Sequence, residues 1–491
     1  MALPGKAECC WGATAPETGY PALAASGPSE VAVIGAGIVG LTCAYLLAQA
    51  GLTVTVLEAR RIGRQVTGRS TAKITSQHSL IYRHLTDVFG REIARLYADA
   101  NRTATRQIRS WVDELRISCG LEIKNAYTFT CHPVWRSEIE REAEAARQVG
   151  FDARVLDRAP LPFPTAGALV FPDEAQFNPA QYLVGLAAAA AAAGARIYEN
   201  TRVTAVDSGI RWRLTAGLGS VAAEHLVMAS NLPFAGPLDF DYGVRTRPRC
   251  HAAMAFRIAP EAAIDGMFIS VDDPTHSLRM GRDGEGPLLI ALGPRFNTGQ
   301  VRDVAGCFRE VEQWVRARLP VGDVAWRWVN EDYDTDHRVP FVSMPEDGFH
   351  LATGFNGWGI SNGTAAGMLM ADRIRGRAND WVPVYDPNRP YPEAFNRGGD
   401  TQSRVNSIDD IAPGEGGVIE RGTDKIAVWR DADGTPHAVS ASCTHEGCTV
   451  TWNNADRTWD CPCHGSMFDA DGTPRHGPAV KPLVPMEVPD R

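Results

Sequence analysis

Near its C-terminus the chain reads Cys443-Thr444-His445-Glu446-Gly447-Cys448, and then Cys461-Pro462-Cys463-His464-Gly465-Ser466. Fifteen residues separate His445 from Cys461. Two Cys-and-His pairs at this spacing offer two thiolates and two imidazoles to one metal centre. The set suits a 2Fe–2S cluster with both thiolates on one iron and both imidazoles on the other. It also suits a tetrahedral zinc ion. Zinc needs no further cysteine, whereas this segment adds Cys448 and Cys463.

Cys-Thr-His-x-Gly-Cys followed by Cys-Pro-Cys-His-Gly-Ser resembles the Rieske proteins of respiratory and photosynthetic cytochrome bc complexes. The resemblance implies a 2Fe–2S cluster on Cys443, His445, Cys461 and His464. It implies a disulfide between Cys448 and Cys463 that ties the two cluster loops together, and a covering loop at Gly477-Pro478-Ala479. It also implies that Ser466 donates a hydrogen bond to a bridging sulfide. The family usually has Tyr two residues after that Ser, as a donor to a cluster thiolate, but here the residue is Phe468. One donor is therefore missing, and the potential is expected below the top of the Rieske range.

A second motif lies at the other end. The apolar run Val31-Ala32-Val33-Ile34 leads into Gly35-Ala36-Gly37-Ile38-Val39-Gly40. A helix is predicted from Leu41 to Ala50, then a strand from Leu52 to Leu57 that ends at Glu58. G-x-G-x-x-G after a strand and before a helix, with an acid eighteen residues after Gly40, is a dinucleotide fingerprint in its proper context. Gly35, Gly37 and Gly40 let backbone approach a pyrophosphate at a helix N-terminus, and Glu58 would take ribose hydroxyls. The fingerprint alone does not separate FAD from NAD.

Further segments do. They are Gly68-Arg69-Ser70-Thr71-Ala72-Lys73, Asn178-Pro179 before an Ala-rich helix, Thr201-Arg202-Val203-Thr204-Ala205-Val206, and Gly354-Phe355-Asn356-Gly357-Trp358-Gly359 before a helix from about Ile360 to Ile374. In this order they resemble the D-amino-acid oxidase/glycine oxidase family of flavoproteins. Trp11 to Pro21 is similar to a lead-in found in bacterial members with a C-terminal Rieske domain. The resemblance implies FAD bound at Gly35, Gly37, Gly40, Glu58, Ser70, Thr71, Val203, Gly354, Trp358 and Gly359. It implies oxidation of C–H bonds beside an amine nitrogen. Lys73 falls near where some members carry a histidine bonded covalently to FAD, so noncovalent FAD is expected. Lys73 and His78 are the candidate catalytic residues at the flavin edge. Trp326, Trp328, Tyr333, Asp336 and His337 are candidates for a substrate wall.

The expected fold is an α/β, Rossmann-like FAD domain of D-amino-acid oxidase type with a β-rich substrate domain, followed by an all-β Rieske domain. Residues 1–29 form a lead-in and 30–375 the oxidoreductase domain, with 240–330 mainly the substrate subdomain. Residues 376–406, rich in Pro and Gly, read as a linker, and 407–491 as the Rieske domain. A length of 491 residues fits two or three domains, and 44% hydrophobic with 22% charged residues is ordinary for a globular protein. A net charge of −9 argues against nucleic acid as a partner. The first thirty residues lack a basic segment followed by a long apolar core, and no run is long enough to span a bilayer. A cytoplasmic protein with reduced cysteines outside the cluster motif is therefore expected.

The combined reading is a dehydrogenase. A small amine or amino-acid-like substrate is oxidised at FAD, and electrons leave singly through the cluster to an unidentified acceptor. The alternative is an NAD(P)H-dependent reductase, or an electron-transfer flavoprotein supplying a partner oxygenase. A reductase needs a second nucleotide fingerprint, but Gly217-Leu218-Gly219 lies between two strand-like runs and reads as a hairpin. An oxygenase needs a mononuclear iron on two His and a carboxylate, for which no pattern exists.

Overall fold

Val31–Ile34 and Val54–Leu57 are buried at every position, as strands covered on both faces must be. In the computed structural model, which describes residues 3–235, 242–301, 303–389, 403–422 and 424–489, they form the centre of an eight-stranded sheet. Strand Gly27–Ile34 pairs in parallel with Val54–Leu57 on one side and Gly219–Met228 on the other. Arg196–Tyr198 extends the sheet beyond Val54–Leu57, and Phe349–Thr353 lies beyond Gly219–Met228. Helices Ile38–Gln49 and Gly359–Ile374 pack closely because the second is notched. A Cβ on Gly363 would lie 2.6 Å from Ile38 Cγ2, and one on Gly367 would lie 2.7 Å from Thr42 Cβ. Gly217 and Leu218 turn the antiparallel pair Trp212–Ala216 and Gly219–Met228, the hairpin expected there.

A nine-stranded sheet stands against this layer. Strands Thr246–Ile258 and Gly286–Asn297 lie within the stretch expected to form the substrate subdomain. The sheet is wider than the 240–330 stretch, however, because Glu122–Thr130 and Gly167–Gln176 belong to it. The join is a parallel pairing of Met267–Ser270 with Ala126–Phe129, a contact between distant segments that no local pattern announces. The linker also begins later than 376. Val384 and Tyr385 are fully buried, and the Tyr385 hydroxyl donates to Asn362 Oδ1 at 3.2 Å. Two apolar side chains at a helical turn, Val382–Tyr385, hold that part against the core. Residues 390–402 of the expected linker, with Pro390, Pro392, Gly398 and Gly399, lie outside the described residues.

The C-terminal part is two small antiparallel sheets. One orders Gly416–Arg421, Asp424–Arg430 and Pro436–Ser440, and the other Thr451–Asn453, Thr458–Asp460, Met467–Asp469 and Pro474–His476. Trp459 and Phe468 face each other in register and share a buried core with Cys443 and Cys461. This domain is docked against the nine-stranded sheet through interlocking loops. Gly299 has φ +66°, and a Cβ there would sit 2.7 Å from Asp460 O and Pro462 N. Gly465 has φ +69°, and a Cβ there would sit 2.6 Å from Glu331 Oε1 and 2.9 Å from the Tyr333 hydroxyl. Only glycine fits at either point. Among the described residues, no helix is long and apolar enough to cross a membrane.

Candidate active site and cluster centre

The nucleotide motif forms as its sequence requires. Gly35 has φ +99°, and a Cβ there would meet Ala229 O at 2.6 Å, while one on Gly40 would lie 2.0 Å from Gly35 O. Gly37 is the N-cap of helix Ile38–Gln49; Ile38 N donates to Thr67 Oγ1 at 3.3 Å, and the helix N-terminus faces an open cavity. Glu58 accepts from Ala36 N and Arg60 N, each at 2.9 Å, and burial pushes its carboxyl above the usual range.

These residues open on a cavity of about 750 Å³. Gly35, Gly37, Glu58, Ser70, Thr71, Lys73, His78, Val203, Trp358 and Gly359 all line it. Gly40 and Gly354 do not. Gly40 instead packs helix on strand, and a Cβ on Gly354 (φ +75°) would strike Thr335 Cγ2 at 2.2 Å. The glycine cradle, the helix N-terminus and the ribose carboxylate fit FAD.

Ala72 adopts φ +55°, and the loop before it is held from behind. Buried Arg279 donates to Thr71 O, Ala72 O and Phe177 O at 2.7–3.2 Å. Trp11 of the lead-in donates to Ser70 O at 2.8 Å.

Lys73 Nζ donates to Phe268 O at 2.8 Å and Ser277 Oγ at 2.5 Å. Burial, with Arg279 nearby, pulls its pKa down to about 7. His78 stacks on Trp358 with ring centroids 4.8 Å apart. Its Nδ1 meets the Tyr97 hydroxyl at 2.6 Å, and its Nε2 meets Thr75 O and Ser361 Oγ at 2.9 Å. Burial holds its pKa near 3. His78 is thus a neutral, fully engaged ring that fixes Trp358.

Strand Val321–Thr335 stands between the cavity and the cluster loop that carries His464. Its alternation assigns faces. Asn330, Asp332 and Asp334 line the cavity. On the other face, the Tyr333 hydroxyl donates to His464 O at 2.9 Å, and Glu331 Oε2 lies 3.1 Å from His476 Nε2. One strand therefore separates the flavin cavity from a cluster loop. Asp332 accepts from Gly357 N at 2.7 Å, and burial pushes its carboxyl up to about 7. Arg295 pairs with Asp334 and donates to Asn356 O at 3.0 Å.

Of the expected substrate wall, only Asp336 lines the cavity. Tyr333 faces the other domain. Trp328 Nε1 donates to Arg69 O, Trp326 packs under Lys6, and His337 is buried against Phe89 and Phe341. Asp332, Arg295 and Arg279 were missed by sequence reasoning. Charged residues at both parities of one strand, Glu331, Asp332 and Asp334, were the available signal for Asp332, and none marked Arg279 or Arg295.

At the cluster motif the two loops meet. The imidazoles of His445 and His464 lie edge to face with centroids 4.9 Å apart, and His445 Nδ1 is buried without a hydrogen-bond partner among the described residues. Cys443 and Cys461 are buried free thiols that share a hydrogen bond. Cys443 is drawn down to about 6, chiefly by Cys461, whose own pKa is pushed well up by that bond and by burial. The pair readily gives up one proton, and a cationic iron centre would release the second. Two thiolates facing two imidazoles fit the 2Fe–2S set. Cys448 and Cys463 form a disulfide, with Cα atoms 6.4 Å apart. The Ser466 hydroxyl bonds Cys443 and accepts from Ala479 N at 3.1 Å. Gly477 (φ +89°) lets the covering loop press on Ser466, since a Cβ there would lie 2.6 Å from Ser466 Cα.

The family model for FAD dependent oxidoreductases matches residues 30–373, and that for the Rieske [2Fe-2S] domain matches 401–487. The chain is 30% identical to the Rieske 2Fe-2S iron-sulfur protein YhfW of Bacillus subtilis (strain 168), over 98% of both chains. It is 23% identical to gamma-glutamylputrescine oxidoreductase of Escherichia coli (strain K12), over 74% of this chain and 88% of that protein. Glycine oxidase from Geobacillus kaustophilus superposes with a TM-score of 0.60 at 20% identity, over 74% of this chain and 100% of its own. The chain therefore belongs to the FAD dependent oxidoreductase family and carries a C-terminal Rieske domain, with FAD and a 2Fe–2S cluster as its cofactors.

Proposed function

We propose that this protein dehydrogenates a small amine or amino-acid-like substrate at noncovalent FAD and passes the electrons singly through the cluster to an acceptor. The observation that carries the reading is the one-strand partition, with Asp332 and Asp334 on the flavin side and Tyr333 bonded to His464 on the other. The named substrates of two similar proteins, glycine and gamma-glutamylputrescine, carry an amine. When bound, FAD supplies two-electron oxidation of a C–H bond beside nitrogen, and the cluster supplies one-electron transfer.

The chain's own residues orient and deprotonate. Lys73 is assigned as the group that takes a proton from the substrate ammonium, because only the free amine gives up hydride equivalents. His78 holds Trp358 against the flavin loop. Cys443, His445, Cys461 and His464 are assigned as cluster ligands, with the Cys448–Cys463 bridge fixing the loops between them.

Anaerobic stopped-flow mixing with a panel of amines and with NADH tests this reading. An amine should bleach the flavin first and the cluster afterwards, and NADH should do neither. Cluster reduction ahead of the flavin, or reduction by NADH alone, would overturn it. The flavin phase should be slow at low pH and quicken as pH rises through about 7, where Lys73 becomes neutral. Lys73→Met should lose that limb.

Phe468 is fully buried beside the cluster cysteines. Phe468→Tyr adds a donor that stabilises the extra negative charge of the reduced centre. A bond favouring that state by about 1.4 kcal/mol raises a one-electron potential by about 59 mV. Ser466→Ala should lower the potential by a similar amount. Redox titration of the three proteins checks both signs.

A further inference from the structure

The C-terminal domain does more than meet the flavin domain beside the cluster. Its hairpin after Asp469 also reaches the nucleotide end of the FAD site. The Pro474 carbonyl accepts from Arg60 at 3.3 Å and from Arg202 at 3.2 Å. Arg60 also pairs with Asp469 at 3.5 Å. Arg60 is tied to the ribose carboxylate, since its N–H donates to Glu58, and Arg202 directly precedes Val203. Arg475, His476, Gly477 and Val480 line the same cavity as Glu58, Arg202 and Val203. Glycine oxidase is matched along its whole length by 74% of this chain, so this cover is an addition to its architecture.

We propose that the Rieske domain caps the adenosine end of the FAD site, so that FAD leaves freely only when the two domains part. The inference rests on FAD occupying the cavity described above. A ligand enclosed by two bodies is released through their separation, so its escape slows by the fraction of time they spend apart. Coupling is reciprocal: whatever docking contributes to FAD affinity, bound FAD contributes to docking.

The test uses the full chain with both cofactors. Gly299→Val forces a branched side chain into Asp460 O, Pro462 N and Cys461 C and touches no FAD-lining residue. Hydrogen exchange should rise at 460–466 and 474–477. FAD release, followed as free-flavin fluorescence after dilution, should quicken at least tenfold, about 1.4 kcal/mol, with the Rieske paramagnetic signal retained. Should that variant not fold, Asn454→Ala/Asp469→Ala removes side-chain contacts with Ala305 N, Asp303 and Arg60, again without altering a cavity-lining residue, and should give the same result. In the unmodified protein, stripping FAD should raise exchange at 474–477. Unchanged release from a variant whose exchange has risen would overturn the cap, as would unchanged exchange at 474–477 on FAD removal. Release is measured without substrate, so such a failure would leave the flavin-to-cluster reading standing.

Discussion

His464→Ala is expected to abolish the Rieske paramagnetic signal while amine substrate still bleaches the flavin when free FAD is supplied. His464 is buried where the loops meet, edge to face with His445. Alanine leaves one iron a ligand short, and no neighbouring side chain is a ready replacement. Glu446 is the nearest carboxylate, with Oε2 3.7 Å from His464 Nδ1, but a hard oxygen donor would give a different centre with a shifted spectrum. The flavin cavity contains no cluster ligand, so reduction by substrate does not need the metal. What should disappear is transfer to a one-electron acceptor. An intact Rieske signal in the variant would refute the ligand assignment. Loss of flavin bleaching at saturating FAD would show instead that the two centres do not work in sequence.

Gly37→Val is expected to yield protein with a cluster and essentially no flavin. Gly37 has φ −81°, so its backbone alone does not demand glycine. A Cβ there would meet only Thr67 Oγ1, at 3.3 Å, so the fold should survive. The damage falls on the ligand, because a branched side chain at the N-cap occupies the space through which a pyrophosphate reaches the first-turn N–H groups. Each tenfold loss of affinity is about 1.4 kcal/mol. Losing several charge-assisted hydrogen bonds at once exceeds that. Flavin absorbance against iron content in the purified protein is the measurement. A normal flavin-to-iron ratio would place the cofactor elsewhere.

The sequence was most legible where function is written in consecutive residues. Gly35–Gly40 with Glu58, and the two cluster loops, each require residue types at fixed spacing, so their chemistry survives without knowledge of the fold. The hairpin at Gly217 was legible for a similar reason, since turn residues are local. Arg279 was not, because its partners Thr71, Ala72 and Phe177 lie 102 to 208 residues away in sequence. Nor was the role of Asp332, whose carboxylate is defined by Gly357 N across the cavity. Tyr333 was expected to face substrate and turned out to face the cluster domain. An aromatic ring near the flavin motif reads equally well on either side of a strand until its pairing is known.

That strand sets an unusual limit on how the gene can vary. Every side chain from Asn330 to Asp334 answers to one of two compartments, and parity alone decides which. Substitutions there perturb one compartment at a time. Losing a single codon upstream, with the pairing to Thr246–Ile258 otherwise kept, would turn the remainder of the strand over. Asp332 would then face the iron–sulfur loop and Tyr333 the flavin. Such a chain could still form its sheets and bind both cofactors, yet each would meet the other's neighbours. Length in this segment should therefore be held more strictly than residue identity.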